Sequence, residues 1–401
     1  AIVVGTGLGS MSHAVLSARG PAFGVPQMIL SRVPFGFLGN ILPAGLNALT
    51  AGVGWFAVNS VSGALALNAL TGMSGGLSLL IVVLVQVVVG FFGHNLIQVW
   101  ERYALPLLAV VFLVIAVIVL LKASPSAAAG GGGIGGFLLT VGACFGYAAG
   151  WNPYATDYTR YLRPGTGPRA GVMAGLGVFL SCVLLEVVGA ASVTISGGGL
   201  GANPTVAFTD TLPSVLVGIT LLCIAVGAVS ANVINVYSGT MSFLALGIRL
   251  PLALRRAIVA VVFGIVGGLV AYTGLNDAGA KYENFLLIIA YWIGPWLGVY
   301  LTDMVLRRGT RVDGFLFDRA HNPAAGFVAM LVGMVVSILL FSNQSLYLGL
   351  VPSAAPSVGD ITFEVGFVLS ALIYAAMFLA QGDRRSAIMV LPDSEPQAAG
   401  T

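Results

Sequence analysis

The stretch Gly146-Tyr147-Ala148-Ala149-Gly150-Trp151-Asn152-Pro153-Tyr154-Ala155-Thr156-Asp157-Tyr158-Thr159-Arg160-Tyr161 decides how the rest of the chain is read. It lies inside an apolar run, yet it carries two glycines, a proline, an asparagine and an aspartate. A helix crossing lipid must satisfy its backbone polar groups internally. A span seeded with helix breakers and polar side chains is therefore expected to open onto a cavity. Secondary transporters hold their substrates at such discontinuous helices near mid-membrane depth. Gly146, Gly150 and Pro153 are the expected break points, and Asp157 the expected anchor or inner gate.

Composition agrees with a membrane setting. The chain has 401 residues, of which 58% are hydrophobic and 8% charged, and its mean hydropathy is +1.00. A soluble domain carries about a quarter charged residues, so this chain could not cover a water-facing surface. Repeated apolar runs of roughly 20 residues, each able to cross about 30 Å of hydrocarbon, indicate a polytopic membrane protein. Net charge is +3 with the arginines scattered, which gives nucleic-acid binding no support. Cys144, Cys182 and Cys223 share no ligand-like spacing, and His13, His94 and His321 are equally dispersed. No metal site, resident cofactor or enzyme is expected from that inventory.

Eleven candidate spans lie near 1–18, 38–70, 75–98, 103–122, 134–161, 170–195, 214–247, 252–273, 283–306, 323–342 and 361–380. The stretch 123–136 is a Gly/Ala/Ser-rich linker, and 381–401 reads as a disordered cytoplasmic tail. Alternate loops and the tail carry fifteen of the seventeen Lys and Arg residues; Lys122 and Lys281 lie on the other side. The positive-inside rule then makes the arginine side, and the C-terminus, cytoplasmic. Eleven spans place residue 1 outside, without a signal peptide and already inside an apolar run. The expectation is one transmembrane domain over 1–380, N-terminally incomplete, with at least one upstream helix missing from this sequence.

Polar groups in a membrane interior are costly and are functional candidates by default. Three such groups coincide in depth: Trp55 with Asn59, Tyr147 to Trp151, and Ser230 to Asn235. Trp55 and Asn59, four apart, share a helix face, as do Asn232 and Asn235, three apart. Amides and aromatic rings without fixed charge suit a flat neutral heterocycle with mixed donors and acceptors. Such asparagines also join helices directly, and it is the shared depth that favours a site. Asn59-Ser60-Val61-Ser62-Gly63 is echoed by Asn235-Val236-Tyr237-Ser238-Gly239, a faint internal repeat on spans of opposite direction. Glu186 lies mid-span, where a carboxyl can carry a proton or bond a neighbouring helix. Asp157 and Arg160, three apart, could pair along a helix. Glu101-Arg102 is expected in a loop, and Asp303 beside Arg307 and Arg308 reads as interface chemistry.

The chain resembles the nucleobase–cation symporter family, in its purine–cytosine permease branch. The resemblance rests on Arg19-Gly20-Pro21, Gly24-Val25-Pro26-Gln27-Met28, Gly54-Trp55-Phe56-Ala57-Val58-Asn59 and His94 with Glu101-Arg102-Tyr103. It continues through Gly150-Trp151 with Tyr154-Ala155-Thr156-Asp157-Tyr158-Thr159, then Asn235-Val236-Tyr237-Ser238 and Tyr291-Trp292-Ile293-Gly294-Pro295-Trp296. It implies an all-α protein with a leucine-transporter-type five-plus-five inverted repeat, about eleven spans being present and the family's first helix missing. It implies import of a nucleobase, cytosine or a purine, by cation symport across the cell membrane. Allantoin, hydantoin, uracil or a thiamine-like ring are alternative substrates, and a non-transporting receptor or scaffold is the alternative from another class. Matched residue by residue, Trp55, Asn59, Trp151 and Asn235 would hold the substrate, with Tyr147, Ala148 and Gly150 lining the same pocket. A hydroxyl pair that helps hold sodium in relatives corresponds here to Val229 and Ser230. One hydroxyl is lost, which favours a proton over sodium as coupling ion, with Glu186 and Ser230 as the coupling residues.

Overall fold

The computed structural model describes residues 1–92, 94–124, 132–195, 203–248 and 252–380. The side chains of 90–101 and 252–260 are not described. Half of the expected linker (125–131), Arg249 and the tail 381–401 with Arg384 and Arg385 therefore lie outside the described residues, as do the side chains of His94, Glu101, Arg255 and Arg256.

The described elements are almost all helical. In chain order they are α1 (Ile2–Ser17), α2 (Ile41–Thr71), α3 (Gly75–Phe92), α4 (His94–Lys122), α5 (Gly133–Ala149) and α6 (Ala155–Thr159). Then come α7 (Gly167–Ile195), α8 (Ser214–Ala245), α9 (Leu252–Gly274), α10 (Ala278–Leu306), α11 (Ala324–Phe341) and α12 (Thr362–Ala380). Among the described residues, eight spans are long and apolar enough to cross a membrane, α5 and α6 together forming one. α1 has 16 residues, and the apolar parts of α3 and α9 are shorter still. Glu101 and Arg102, expected in a loop, fall inside the continuous helix α4.

Small residues fix the packing. Gly167, Gly171 and Gly175 recur every fourth position along α7, and a Cβ on any of them would overlap α1 at Ala18, Ala14 and again Ala14. Gly5 and Gly9 of α1 do the same for α5: a Cβ on Gly9 would lie 2.7 Å from the Ala149 nitrogen. Backbones brought this close give helix association without a hydrophobic drive, as lipid-embedded helices require. Contact order gives the directions. Gly63 meets Ala228, Asn59 meets Asn232 and Gly239 meets Ala51, so α2 and α8 run antiparallel. The opposite directions agree with the reading of the echo, but the echoed segments are offset: Asn59–Gly63 lies against 228–232, and Gly239 lies against Ala51.

α10 is the most buried span, with Trp292, Ile293, Trp296 and Tyr300 all at the centre of the largest apolar cluster. Gly294 and Gly298 admit the backbone of α12 at Phe363 and Phe367. Asp303 and Arg307, read from sequence as interface chemistry, form a buried ion pair at 2.7 Å. Tyr374 of α12 donates to the same carboxylate oxygen at 2.5 Å, and the guanidinium covers the Phe378 ring at 4.8 Å. This is a brace between α10 and α12.

Candidate functional site

The helix that begins at Gly133 stops at Ala149, with Gly150 as its C-cap. A 3₁₀ turn over Asn152–Tyr154 follows, and the chain becomes α-helical again at Ala155–Thr159. The break thus falls at Gly150–Trp151, with Pro153 buried inside the turn. Gly146, expected as a flexible point, lies within α5 and instead admits the Leu286 carbonyl of α10. Gly150 is tight for a different reason: a Cβ there would sit 2.9 Å from Cζ2 of Trp55.

Opposite this break, α2 is itself irregular. Residues Thr50–Trp55 wind as a π-turn, a feature often found at functional sites. Its glycines make room for two rings, Phe263 against Gly52 and Phe285 against Gly54. The turn carries Trp55 to an edge-on contact with Phe285 at 5.0 Å and with Tyr147 at 5.7 Å.

Between the two irregular segments lies a cavity of about 40 Å³ lined by Trp55, Asn59, Tyr147, Gly150, Trp151, Tyr154, Ala231 and Asn235. The structure thus brings together Trp55, Asn59, Tyr147, Gly150, Trp151 and Asn235 from three helical segments distant in sequence. Ala148 is not among them. It is fully buried and turned to α1, where Gly9 leaves it space. Tyr154 and Ala231 were missed: Tyr154 follows Trp151 by one turn and meets it edge-on at 6.0 Å. The volume admits a few waters and no ring with substituents. Both indoles line it, and its lining holds no charged side chain.

The amides form one network. Asn232 Nδ2 donates to the Phe56 carbonyl at 2.9 Å, and its Oδ1 accepts from Asn59 at 3.0 Å and Asn235 at 3.3 Å. Ser60 bonds the same Phe56 carbonyl and Gln86 of α3, both at 2.7 Å.

Larger chambers lie on the Tyr282 side. One of about 550 Å³ runs along Gly54, Ala57, Val58 and Phe285; another of about 300 Å³ is lined by Cys144, Tyr147, Cys182 and Glu186. Glu186 therefore faces a chamber separated from the small cavity by Tyr147, and accepts from Thr6 at 2.7 Å. Ser230 is buried on α8 and does not line the small cavity.

The opposite side is closed. Tyr158 reaches the Ile234 carbonyl and Ser238 at 3.4 Å, and Arg160 donates to Tyr237 at 3.1 Å and to Tyr161 at 2.6 Å. The expected side-chain pair of Asp157 with Arg160 does not form. Asp157, buried, accepts the Gln27 backbone N–H at 3.0 Å, while Arg160 turns to the tyrosines.

A bundle of membrane-length helices around a closed, uncharged cavity at a helix break is the arrangement in which inverted-repeat transporters hold their substrates. The family model for permeases of cytosine/purines, uracil, thiamine and allantoin matches residues 1–366, and the chain belongs to that family. It is 28% identical to the purine-cytosine permease fcyB of Emericella nidulans, over 92% of this chain and 76% of that protein. It is also 28% identical to a candidate purine-cytosine permease of Bacillus subtilis, YxlA, over 96% of this chain and 86% of that protein. Among solved structures, it shares the fold of Mhp1, a nucleobase-cation-symport-1 family transporter, in a closed conformation with bromovinylhydantoin bound. That match has a TM-score of 0.72 at 19% identity, covering 96% of this chain and 85% of the other. The inward-facing conformation of Mhp1 matches at 0.68. The fold is thus the leucine-transporter type, the protein is a multi-pass membrane transporter, and its relatives are permeases, not enzymes.

Proposed function

We propose that this chain imports cytosine or a purine by cation symport and alternating access, across the cell membrane, with its C-terminus cytoplasmic. The observation that carries the reading is the meeting of two indoles and two asparagine amides around one uncharged cavity. A flat neutral base would slide between Trp55 and Trp151 as they part, with Asn59 and Asn235 bonding its edge. Stacking on aromatic rings contributes about 1–3 kcal/mol per base. The 40 Å³ cavity is the closed state. The chambers on the Tyr282 side are the entry route, and the Tyr158–Arg160–Tyr237 cluster is the inner gate. The names of the fungal and bacterial relatives support the substrate class.

The test is uptake by cells expressing the protein. Labelled cytosine should enter, with unlabelled adenine, hypoxanthine, uracil, allantoin and a hydantoin as competitors. Competition by cytosine or purines at low concentration is expected. Competition by the hydantoin or allantoin alone would move the substrate to that ring class, a reading favoured by the hydantoin held in the solved relative. No saturable uptake of any of these would leave the receptor reading. For coupling, a proton is proposed with Glu186 and Ser230 involved, because Val229 stands where a sodium-binding hydroxyl is expected. Uptake should survive removal of sodium and collapse with a protonophore; the reverse result rejects the proton.

A further inference from the structure

We infer that Asn232 is a positioning residue that fixes the amide orientation of Asn59 and Asn235, and so sets which donor–acceptor pattern the cavity accepts. The inference rests on the nucleobase reading above. Asn232 has no place in the lining of the cavity and is fully buried. Its own orientation is not free. The Phe56 carbonyl can only accept, so the Asn232 NH₂ must point there, at 2.9 Å. The same NH₂ lies 3.3 Å from Ser60 Oγ. Asn232 Oδ1 is then turned towards the cavity-lining pair and can only accept. Asn59 and Asn235 must each spend one N–H on it, at 3.0 and 3.3 Å. Both are left with one N–H and a carbonyl oxygen to offer a ligand, in a fixed arrangement.

An amide turned end for end exchanges donor for acceptor. Cytosine and uracil differ in that exchange along one edge, an amino group and a bare ring nitrogen against a carbonyl and a ring N–H. A cavity whose two amides are locked tells them apart, whereas one whose amides turn freely accommodates either. The lock itself is held from outside: Ser60 shares its single O–H between the Phe56 carbonyl and Gln86 Oε1, and Gln86 donates to the Ala228 carbonyl at 3.4 Å. The reading of the ligand edge is thereby coupled to the packing of α2, α3 and α8.

The test measures competition by unlabelled cytosine and uracil, and by adenine and hypoxanthine, against labelled cytosine bound to membranes containing the full chain. The ratio within each pair does not depend on how much protein folds. Asn232→Leu should reduce the wild-type ratio on the order of tenfold, the worth of one hydrogen bond. Ser242→Ala removes another α2–α8 bond, the 2.7 Å contact from Asn47, away from the cavity; it should leave both ratios unchanged. Asn232→Asp supplies a second readout. As a neutral acid it donates to the Phe56 carbonyl and accepts from both asparagines, so the wild-type ratio should persist at low pH. On ionisation its oxygens still only accept from the two asparagines while the Phe56 carbonyl loses its donor, so affinity should fall as pH rises and the ratio should persist. Unchanged ratios in Asn232→Leu, or a ratio lost in Asn232→Asp as it is in Asn232→Leu, would overturn the positioning role while leaving the nucleobase reading intact. Wild-type membranes that bind no base would overturn both.

Discussion

The two walls of the small cavity are built on opposite principles. On one side, α2 and α8 run antiparallel and are tied by side-chain bonds: Asn47 to Ser242, Asn59 to Asn232, and Asn232 to the Phe56 carbonyl. On the other, α5 stops, turns and restarts as α6. Its shorter ties go to α1 and the segment after it: Asn152 to Ser12, Thr156 to the Val25 carbonyl and Asp157 to the Gln27 nitrogen, while Tyr158 makes longer bonds of 3.4 Å to α8. A helix already broken at Gly150–Trp151 can change direction there without giving up a ladder of backbone bonds. On the function proposed above, the stapled wall is the one suited to read the ligand and the broken wall the one suited to move around it.

That division predicts different signatures for changes in the two walls. The largest effect is expected from Asn235→Ala on the reading wall, which removes an amide from the ligand and from the network at once. Uptake per transporter at the cell surface should fall on the order of 100-fold, with affinity lost. Wild-type uptake by this variant at normal expression would sink the assignment of Asn235.

Gly150→Val on the moving wall comes next. Its Cβ would sit 2.9 Å from the Trp55 ring, and overpacking of this kind costs about 1–3 kcal/mol. Transport should drop on the order of tenfold or more through displacement of Trp55. A Trp55→Ala change made together with it should lose much less than the product of the two single losses, because the clash is gone. Full additivity of the two would separate them and break the link between the walls. Trp55→Phe alone should be milder, weakening binding about fivefold by loss of stacking area, measured as a rise in the half-saturating concentration with the maximal rate kept.

How much of this was legible in the sequence follows from the kind of interaction involved. The broken helix was legible because Gly150, Asn152 and Pro153 contradict the apolar run around them, and breaking is a local property. Trp55, Asn59 and Asn235 were legible because helix periodicity and span centres place them at one depth. The π-turn over Thr50–Trp55 was not: its glycines are explained only by Phe263 and Phe285 from α9 and α10, far along the chain. Ala148 was misplaced for a related reason, since the choice between facing the cavity and facing α1 depends on Gly9. The Asp157–Arg160 spacing suggested a pair, but Tyr161 and, from α8, Tyr237 offer Arg160 partners that helical spacing alone does not reveal. Asp303 and Arg307 read as interface chemistry because the burial that makes them a brace is supplied by α12.

The smallest and most discriminating effect concerns the tie between the broken wall and α1. Asn152 is fully buried outside the cavity lining and donates to Ser12 Oγ at 2.7 Å. Ser12→Ala removes that partner and leaves every cavity-lining residue in place. A neutral hydrogen bond contributes about 0.5–1.5 kcal/mol net, so whichever conformation keeps the bond loses that much relative to one that does not. If α6 turns about Gly150–Trp151 during transport, the populations of the two conformations shift and the maximal rate should change about threefold. The competition ratios between bases should stay as in the wild type. A change in those ratios, with the maximal rate untouched, would mean that the broken wall also reads the ligand, and the division between the walls would fail.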